Sequence, residues 1–526
     1  TFSPDCTGLE GMEAVEMLLW MALCGLLGSA MYLFNALVLK PGKIRSRLQR
    51  QGIRGPPSRF LLGNIPDMQR LQVLQQLEPI PEDISHEWFP RLFPHLHQWQ
   101  NEYGSVFLYA SGNLQQLCVT DPFMVREFSI DSSWDLGKPS YLRKDRGPLL
   151  GEGILTSNGS VWAQQRKIIS PQFYADRVKG FVGLMVDCTN SMSRSWESKI
   201  ISDGGTANLR VDNDLRCLSG DIISRACFGS NHSQGNEIFS KLDDLKSMMS
   251  KVPYGVPGLR YLPTKINRQM RKLKRKIDEL IVGVVEERQS GASKKDLLQA
   301  ILETAKSFDY RHDSQTPRIN LYKFIIHNCK NIYFAGYETT SITASWCMFL
   351  LALNPDWQAR VRAEVLGNFK EGFSCVDTLP NMKLLTMVIQ ETLRLYPPAI
   401  FWVREALRDV KFGDLRIPRG TVLIVPIPKM HQNPEIWGND THEFNPLRFE
   451  HGTIGACKVP QVYMPFGLGP RTCAGQNFAM TELKVILSIV LSRFELSLSP
   501  SYRHAPIFRL VVEPEHGVHL LLRRLN

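Results

Sequence analysis

From Met17 to Leu39 the chain runs through 23 residues without a charge, which restricts this stretch to a buried core helix or a membrane span. As a helix it extends about 34 Å, enough for a hydrocarbon layer about 30 Å thick. Asp5, Glu10, Glu13 and Glu16 precede it, and Lys40, Lys43, Arg45, Arg47 and Arg50 follow. The positive flank stays on the cytoplasmic side. The expectation is a short lumenal terminus (1–16), a single-pass anchor (17–39) and a cytosolic body. A cleaved signal peptide would show the reverse order, a basic front and a shorter apolar stretch. The sequence begins at Thr1, so Met12 is a candidate start, which would place residues 1–11 outside the natural protein.

Next comes Gly52-Ile-Arg-Gly-Pro-Pro57, where each proline restricts itself and its predecessor. Residues 40–60 are expected to form a stiff, extended, basic linker that sets how the body (61–526) sits on the membrane. With 526 residues the chain exceeds the roughly 250–300 at which single cores stop growing, so two lobes or domains are expected. Net charge is +11 and the pI about 9.1. Such a surface suits anionic lipid or an acidic protein, and no nucleic-acid-binding signature accompanies it. The eleven cysteines are scattered and contain no Cys-x-x-Cys pair, which argues against a disulfide framework or structural zinc. A reducing compartment follows. The sequons at Asn158, Asn231 and Asn439 are therefore expected to stay unmodified.

Helical periodicity dominates between about 85 and 400, as in Val161–Ile169, Arg268–Arg288, Leu321–Leu353 and Met382–Leu395. Strand-like stretches are short: Val106–Tyr109, Gln116–Val119, Val410–Arg416, Thr421–Pro426, Leu510–Val512 and Val518–Leu522. The basic run Lys265–Lys276 sits on a helical pattern and is expected to be a solvated face.

The strongest local signal is Phe466-Gly-Leu-Gly-Pro-Arg-Thr-Cys473-Ala-Gly475. A strand-like Gln461–Pro465 precedes it, and Gln476–Phe494 carries apolar residues at helical spacing. Cys473 thus lies at the mouth of a helix, where N–H groups and the dipole favour a negative sulfur. Gly467 and Gly469 let the backbone bend tightly and approach a flat cofactor. Arg471 supplies a cation suited to a carboxylate of that cofactor. A thiolate so placed can serve as an axial haem ligand that pushes electron density toward dioxygen.

In this loop every fixed position of Phe-x-x-Gly-x-Arg-x-Cys-x-Gly is met, and the chain resembles the cytochrome P-450 superfamily. Further motifs follow that family's order across about residues 17–526. Glu391-Thr-Leu-Arg394 puts a carboxylate and a guanidinium on one helical face, ended by Tyr396-Pro397-Pro398. Phe444-Asn-Pro-Leu-Arg448-Phe449 resembles the family's second arginine motif, with Leu447 where Glu is frequent. The resemblance implies that Glu391, Arg394 and Arg448 form a buried triad. Arg404 and the Trp162-x-x-x-Arg166 pair resemble its haem-propionate contacts, and Phe466, Gly469 and Gly475 belong to its cofactor loop.

Within an apolar helix lies Ala335-Gly-Tyr-Glu338-Thr339-Thr340. Gly336 costs roughly 1 kcal/mol against Ala in a helix interior, and Thr hydroxyls can bond back to carbonyls one turn earlier. Two readings fit: a kink opening a polar groove over a cofactor, lined by Ala335 and Gly336, or a close crossing of two helices. The resemblance implies the first, with Glu338 and Thr339 relaying protons to iron-bound oxygen.

The resemblance implies a mainly helical fold with small β-sheets (α+β), and haem b held between the Leu321–Leu353 helix and the Cys473 loop. It implies a monooxygenase taking electrons from NADPH through NADPH–cytochrome P-450 reductase at the endoplasmic reticulum membrane. Arg54-Gly-Pro-Pro, Phe334-Ala-Gly-Tyr-Glu-Thr-Thr, Asn433-Pro-Glu-Ile-Trp-Gly and His504-Ala-Pro look like plant members of the seventy-second clan, nearest its gibberellin-oxidising enzymes. The substrate implied is a diterpenoid acid, oxidised by hydroxylation or epoxidation, with other terpenoids as alternatives. Substrate contacts implied by the family layout are Phe334, Ala335, Ile400, Phe401 and Ile507. A reductase-independent haem-thiolate isomerase or dehydratase is the competing class, and the intact Glu338–Thr339 pair speaks against it. A haem sensor or carrier would need neither that pair nor a large apolar pocket.

Overall fold

The structure is a computed structural model that describes residues 7–525 apart from 79–83, 131–133, 230–231, 291–295, 310–320 and 369–377. The apolar run is helical. Helix α1 (Thr7–Phe34) passes through one π turn, Asn35–Leu39, into α2 (Lys40–Gln49). Its apolar window has no buried residue, and Leu18, Trp20, Leu26, Met31 and Tyr32 are all exposed. A core helix would be covered by protein; an uncovered one of this length and composition has the form of a membrane anchor.

The linker departs from expectation, because its first half is helix rather than extended chain. Lys, Arg, Gln and Leu are good helix formers, and Pro41 falls in the first turn of α2, where its missing N–H is tolerated. Beyond α2, Gly52 turns the chain at φ 86° and the segment to Ser58 is irregular. This segment is fixed to the body: the Leu108 amide donates to the Arg54 carbonyl at 2.9 Å. A Cβ on Gly55 would lie 1.8 Å from the Leu108 carbonyl oxygen, so no larger residue fits there.

Among the described residues, twelve short strands form the β part. A five-stranded sheet runs β1 (Val106–Ser111), β2 (Leu114–Val119), β8 (Val422–Pro426), β5 (Phe401–Ala406) and β3 (Leu136–Gly137). A second has β12 (His519–Arg524) between β4 (Thr206–Arg210) and β9 (Phe494–Leu498). Two hairpins complete the set, β6 (Val410–Phe412) with β7 (Leu415–Ile417) and β10 (Pro506–Phe508) with β11 (Val512–Pro514). Three strand expectations change. Val410–Arg416 is a hairpin rather than one strand, because Gly413 turns it at φ 54°. Leu510 lies outside the strand assigned to Leu510–Val512, since its φ of 71° belongs to a turn. Gln461–Pro465 is a 3-10 turn and irregular chain; Pro460 and Pro465 deprive it of ladder donors.

The helical part is built from α3 (Gly159–Ile169), α4 (Val182–Ser202), α5 (Val211–Phe228), α6 (His232–Ser250), α7 (Lys265–Ser290), α8 (Leu321–Leu353), α9 (Lys383–Leu395) and α10 (Gln476–Arg493). The core falls into two clusters, a large helical one and a smaller one lining the five-stranded sheet. Helix α8 runs through the large cluster, with Trp346, Cys347, Phe349 and Leu350 fully buried, as expected of a helix apolar on all sides. The basic run at the start of α7 behaves as expected, with Arg268, Lys272, Arg275 and Lys276 in solvent.

Gly336 is explained by packing. A Cβ there would come within 2.6 Å of the Ile223 side chain on α5, so glycine is what lets α5 and α8 cross closely. The helix runs without interruption from Leu321 to Leu353. The hydroxyls do bond back: Thr339 donates to Ala335 at 2.7 Å and Thr343 to Thr339 at 2.8 Å. Gly336→Ala is expected to push α5 from α8 and destabilise the fold by about 1–3 kcal/mol, read as a lower denaturation midpoint.

Candidate active site

Cys473 sits three residues before α10 in a loop whose geometry follows from its glycines. Gly467 and Gly469 adopt φ of 80° and 65°, which side chains disfavour. They return the chain so that the Cys473 amide donates to the Phe466 carbonyl at 2.8 Å. Burial pushes the Cys473 thiol up, while the Gly475 amide and Arg166 pull it down. Cys473 nevertheless has accessible surface. The thiol thus has protein packed around it and open space beside it.

Cations ring that space. Arg471 stacks on the Trp162 ring of α3 at 4.2 Å and donates to the Ser157 carbonyl (3.0 Å) and Asn158 Oδ1 (2.9 Å). Arg404 on β5 lies 4.6 Å over Trp402 and donates to its neighbour's carbonyl, Val403. Burial, with Arg471 nearby, brings Arg404 down to about 9; burial, with Arg166 nearby, brings Arg471 down to about 10. Lys138 joins them and is pushed well below its usual range by burial, Arg404 and Arg471. The sequence reading missed Lys138, which no motif marks. Among the described residues no carboxylate pairs with these cations. Leaving several enclosed cations unpaired is costly, and a dianionic cofactor offsets it. A soft sulfur donor opposite four cations fits haem, whose two propionates supply that charge.

On α8, Phe334, Ala335, Gly336 and Thr339 keep partial accessibility beside buried neighbours on the same turns. Glu338 does not share that face. It is 1% exposed and ion-paired to Lys246 at 2.7 Å and Arg216 at 3.4 Å. Of the remaining substrate expectations, Phe401 and Ile507 are half-buried, with Phe401 packed edge-on against Phe93 and Phe508, while Ile400 is buried in the core.

The charge triad is in place. Arg394 Nε and Nη2 bind the two oxygens of Glu391 at 2.7 and 2.8 Å, with both residues at 0% exposure. Arg394 also donates to the carbonyls of His431, Thr441 and Glu443. Arg448 lies 3.5 Å from Glu391 and 2.6 Å from Asp440. Asp440 therefore supplies the second acid missing at Leu447, which points to solvent. His431 was also missed. Its Nε2 accepts from the Met464 amide at 3.0 Å and its Nδ1 lies 3.2 Å from the Arg394 carbonyl, bridging the triad to the cysteine loop. Of the sequons, Asn158 is consumed by Lys138 and Arg471, Asn439 is exposed, and Asn231 lies outside the described residues.

Glu482 on α10 is a second omission, fully buried in the helical core. Burial pushes its carboxyl up from 4.5 to about 8, against the pull of Ser219. The folded chain thus holds this proton where the unfolded chain has lost it. Its contribution is full below pH 4.5, declines by about 1.4 kcal/mol per unit as pH rises, and is gone above about 8. Glu482→Gln is expected to flatten that part of the pH dependence, measured as urea midpoints from acid to mildly alkaline pH.

The cytochrome P450 family model matches residues 78–522. Cytochrome P450 714C2 of Oryza sativa subsp. japonica is 48% identical over 530 residues, spanning 98% of this chain and 100% of that relative. Cytochrome P450 714A2 of Arabidopsis thaliana is 41% identical, spanning 96% of this chain and 98% of the relative. Cytochrome P450 714B3 of Zea mays is 42% identical, spanning 98% and 97%. Members of this family bind haem b through a cysteine thiolate and use dioxygen with electrons from a redox partner. With the cysteine loop, the cation ring and the triad in one fold, the chain belongs to the cytochrome P450 family of monooxygenases.

Proposed function

We propose that Cys473 ligates the haem iron and that Arg166, Arg404 and Arg471 hold the propionates, with the Trp162 ring bracing Arg471. The observation that carries this reading is the ring of cations lacking carboxylate partners beside an accessible, enclosed sulfur. Bound haem supplies dioxygen activation; the chain supplies position, exclusion of water and protons. Thr339 presents a hydroxyl on the accessible face of α8, and Glu338, behind it, exchanges protons with the outside. Ala335 leaves room for the cofactor, and Phe334, Phe401 and Ile507 present apolar surface to the substrate.

The substrate proposed is a gibberellin or related diterpenoid acid, hydroxylated or epoxidised, a reading supported by the clan-specific segments. Electrons come from NADPH through the flavoprotein reductase of the endoplasmic reticulum membrane, whose acidic face suits a chain of net charge +11. Turnover of a panel of gibberellin precursors by the reductase-coupled enzyme, read by mass spectrometry, tests the substrate. No oxygenated product from any of them would sink it. Thr339→Ala is expected to retain haem and NADPH consumption while product per NADPH falls by roughly 10²-fold.

A further inference from the structure

Glu338 is one member of a buried charge cluster that joins four elements. Lys246 of α6 lies 2.7 Å from Glu338 of α8 and 3.0 Å from Glu513 of β11. Arg216 of α5 lies 2.6 Å from Glu513 and 3.4 Å from Glu338. The side chains of Lys246, Glu338 and Glu513 are at most 3% exposed, and that of Arg216 is 17% exposed. Two half-exposed groups border them: Asp243, 3.0 Å from Lys246 and 3.6 Å from Arg216, and Arg509, 3.0 Å from Glu513. Among the described residues, Tyr337 completes the ionisable groups here, pushed up by burial and by Glu338.

The arrangement has two buried carboxylates for the same two cations, beside the half-exposed Asp243. Were Glu338 their one buried partner, each proton it accepted would leave both cations with only that solvent-screened anion, a marked cost. Glu513 changes that, because Arg216 and Lys246 keep a carboxylate within 3.0 Å whichever state Glu338 is in. We propose that Glu513 is a positioning residue for proton delivery, holding Arg216 and Lys246 so that Glu338 can gain and release protons without orphaning them. The inference rests on the proton-relay reading of Glu338 above. The two carboxyls are driven apart accordingly. Burial raises Glu513, but Lys246 and Arg216 overcome it and hold it down at about 2. Glu338 is raised by burial against the pull of the same two cations.

The test uses full-length holoenzyme with reductase in phosphatidylcholine–phosphatidylserine vesicles. It records NADPH oxidation and hydrogen peroxide release across about pH 6 to 9, in H2O and D2O, with no organic substrate. In Glu513→Gln, Glu338 is the one buried carboxylate left to both cations, with Asp243 at the rim. Its proton-bound fraction should drop about tenfold, moving the pH profile about one unit toward acid and raising the solvent isotope effect. Arg509→Gln leaves Glu513 more fully to Arg216 and Lys246, so its profile should move the other way. A merely structural role predicts no such opposed shifts. A Glu338→Gln enzyme with the wild-type profile overturns the relay reading and this assignment together. A moved Glu338→Gln profile beside an unmoved Glu513→Gln profile overturns the assignment alone. If Glu513→Gln does not accumulate as folded holoenzyme, an unmoved Arg509→Gln profile decides against it.

Discussion

Cys473→Ala is expected to abolish the thiolate-type Soret band of the reduced carbon monoxide complex and, with it, all NADPH-supported oxygenation. The sulfur is the soft donor beside Arg166, and alanine puts a methyl group where a ligand is needed. The loop itself should survive, since Gly467, Gly469 and the Cys473 amide bond to Phe466 are backbone features. Loss of the band with an intact far-ultraviolet spectrum is therefore the predicted pair of results. Cys457→Ala is the control: its thiol donates to the Val459 carbonyl and faces no cation ring, so the band should persist. A band that survives in Cys473→Ala would assign the iron to another ligand.

Glu391→Gln is expected to prevent accumulation of folded haem protein. Arg394 is wholly buried, and Glu391 supplies both oxygens of its bidentate pair as well as the acceptor for the Asn445 amide. Orphaning such a charge costs about 3–5 kcal/mol, a large part of the roughly 5–15 kcal/mol by which domains are stable. Asp440→Asn removes a carboxylate from Arg448 at a site 41% exposed, where solvent screens the pair. Arg448 also retains the Trp437 and Asp440 carbonyls, so that variant should fold and load haem. Protease resistance and haem content of the two variants separate these outcomes, and a stable, haem-replete Glu391→Gln would contradict the assignment.

The cysteine loop, the Glu391–Arg394 pair and the long helix were legible because each is a local pattern, whereas Arg448 joined that pair through the family resemblance alone. Lys138, His431, Asp440 and Glu482 were not. Lys138, His431 and Glu482 acquire their meaning from chain folded back from tens or hundreds of residues away, as when His431 meets Met464, and Asp440 from an irregular turn that brings it onto Arg448. Gly336 shows the limit from the other side. Its cost in a helix was visible in the sequence, but the reason, Ile223 on α5, is 113 positions distant. Two of the misjudged strands share a cause too, since apolar alternation does not register the positive φ of Gly413 or Leu510.

The attachment of the anchor has a consequence for how this enzyme samples its surroundings. Leu48 at the end of the anchoring helix is fully buried in the sheet cluster, and the Asn113 side chain donates to the Leu37 carbonyl. Gln51 bonds the Arg416 backbone, and Gly55 is pressed against Leu108. A body held at these points cannot swivel beneath the apolar helix, so with that helix in a bilayer, lateral drift would carry one fixed face of the protein along the lipid surface. An apolar molecule dissolved in that surface then meets the enzyme by diffusion in two dimensions, and always from the same side.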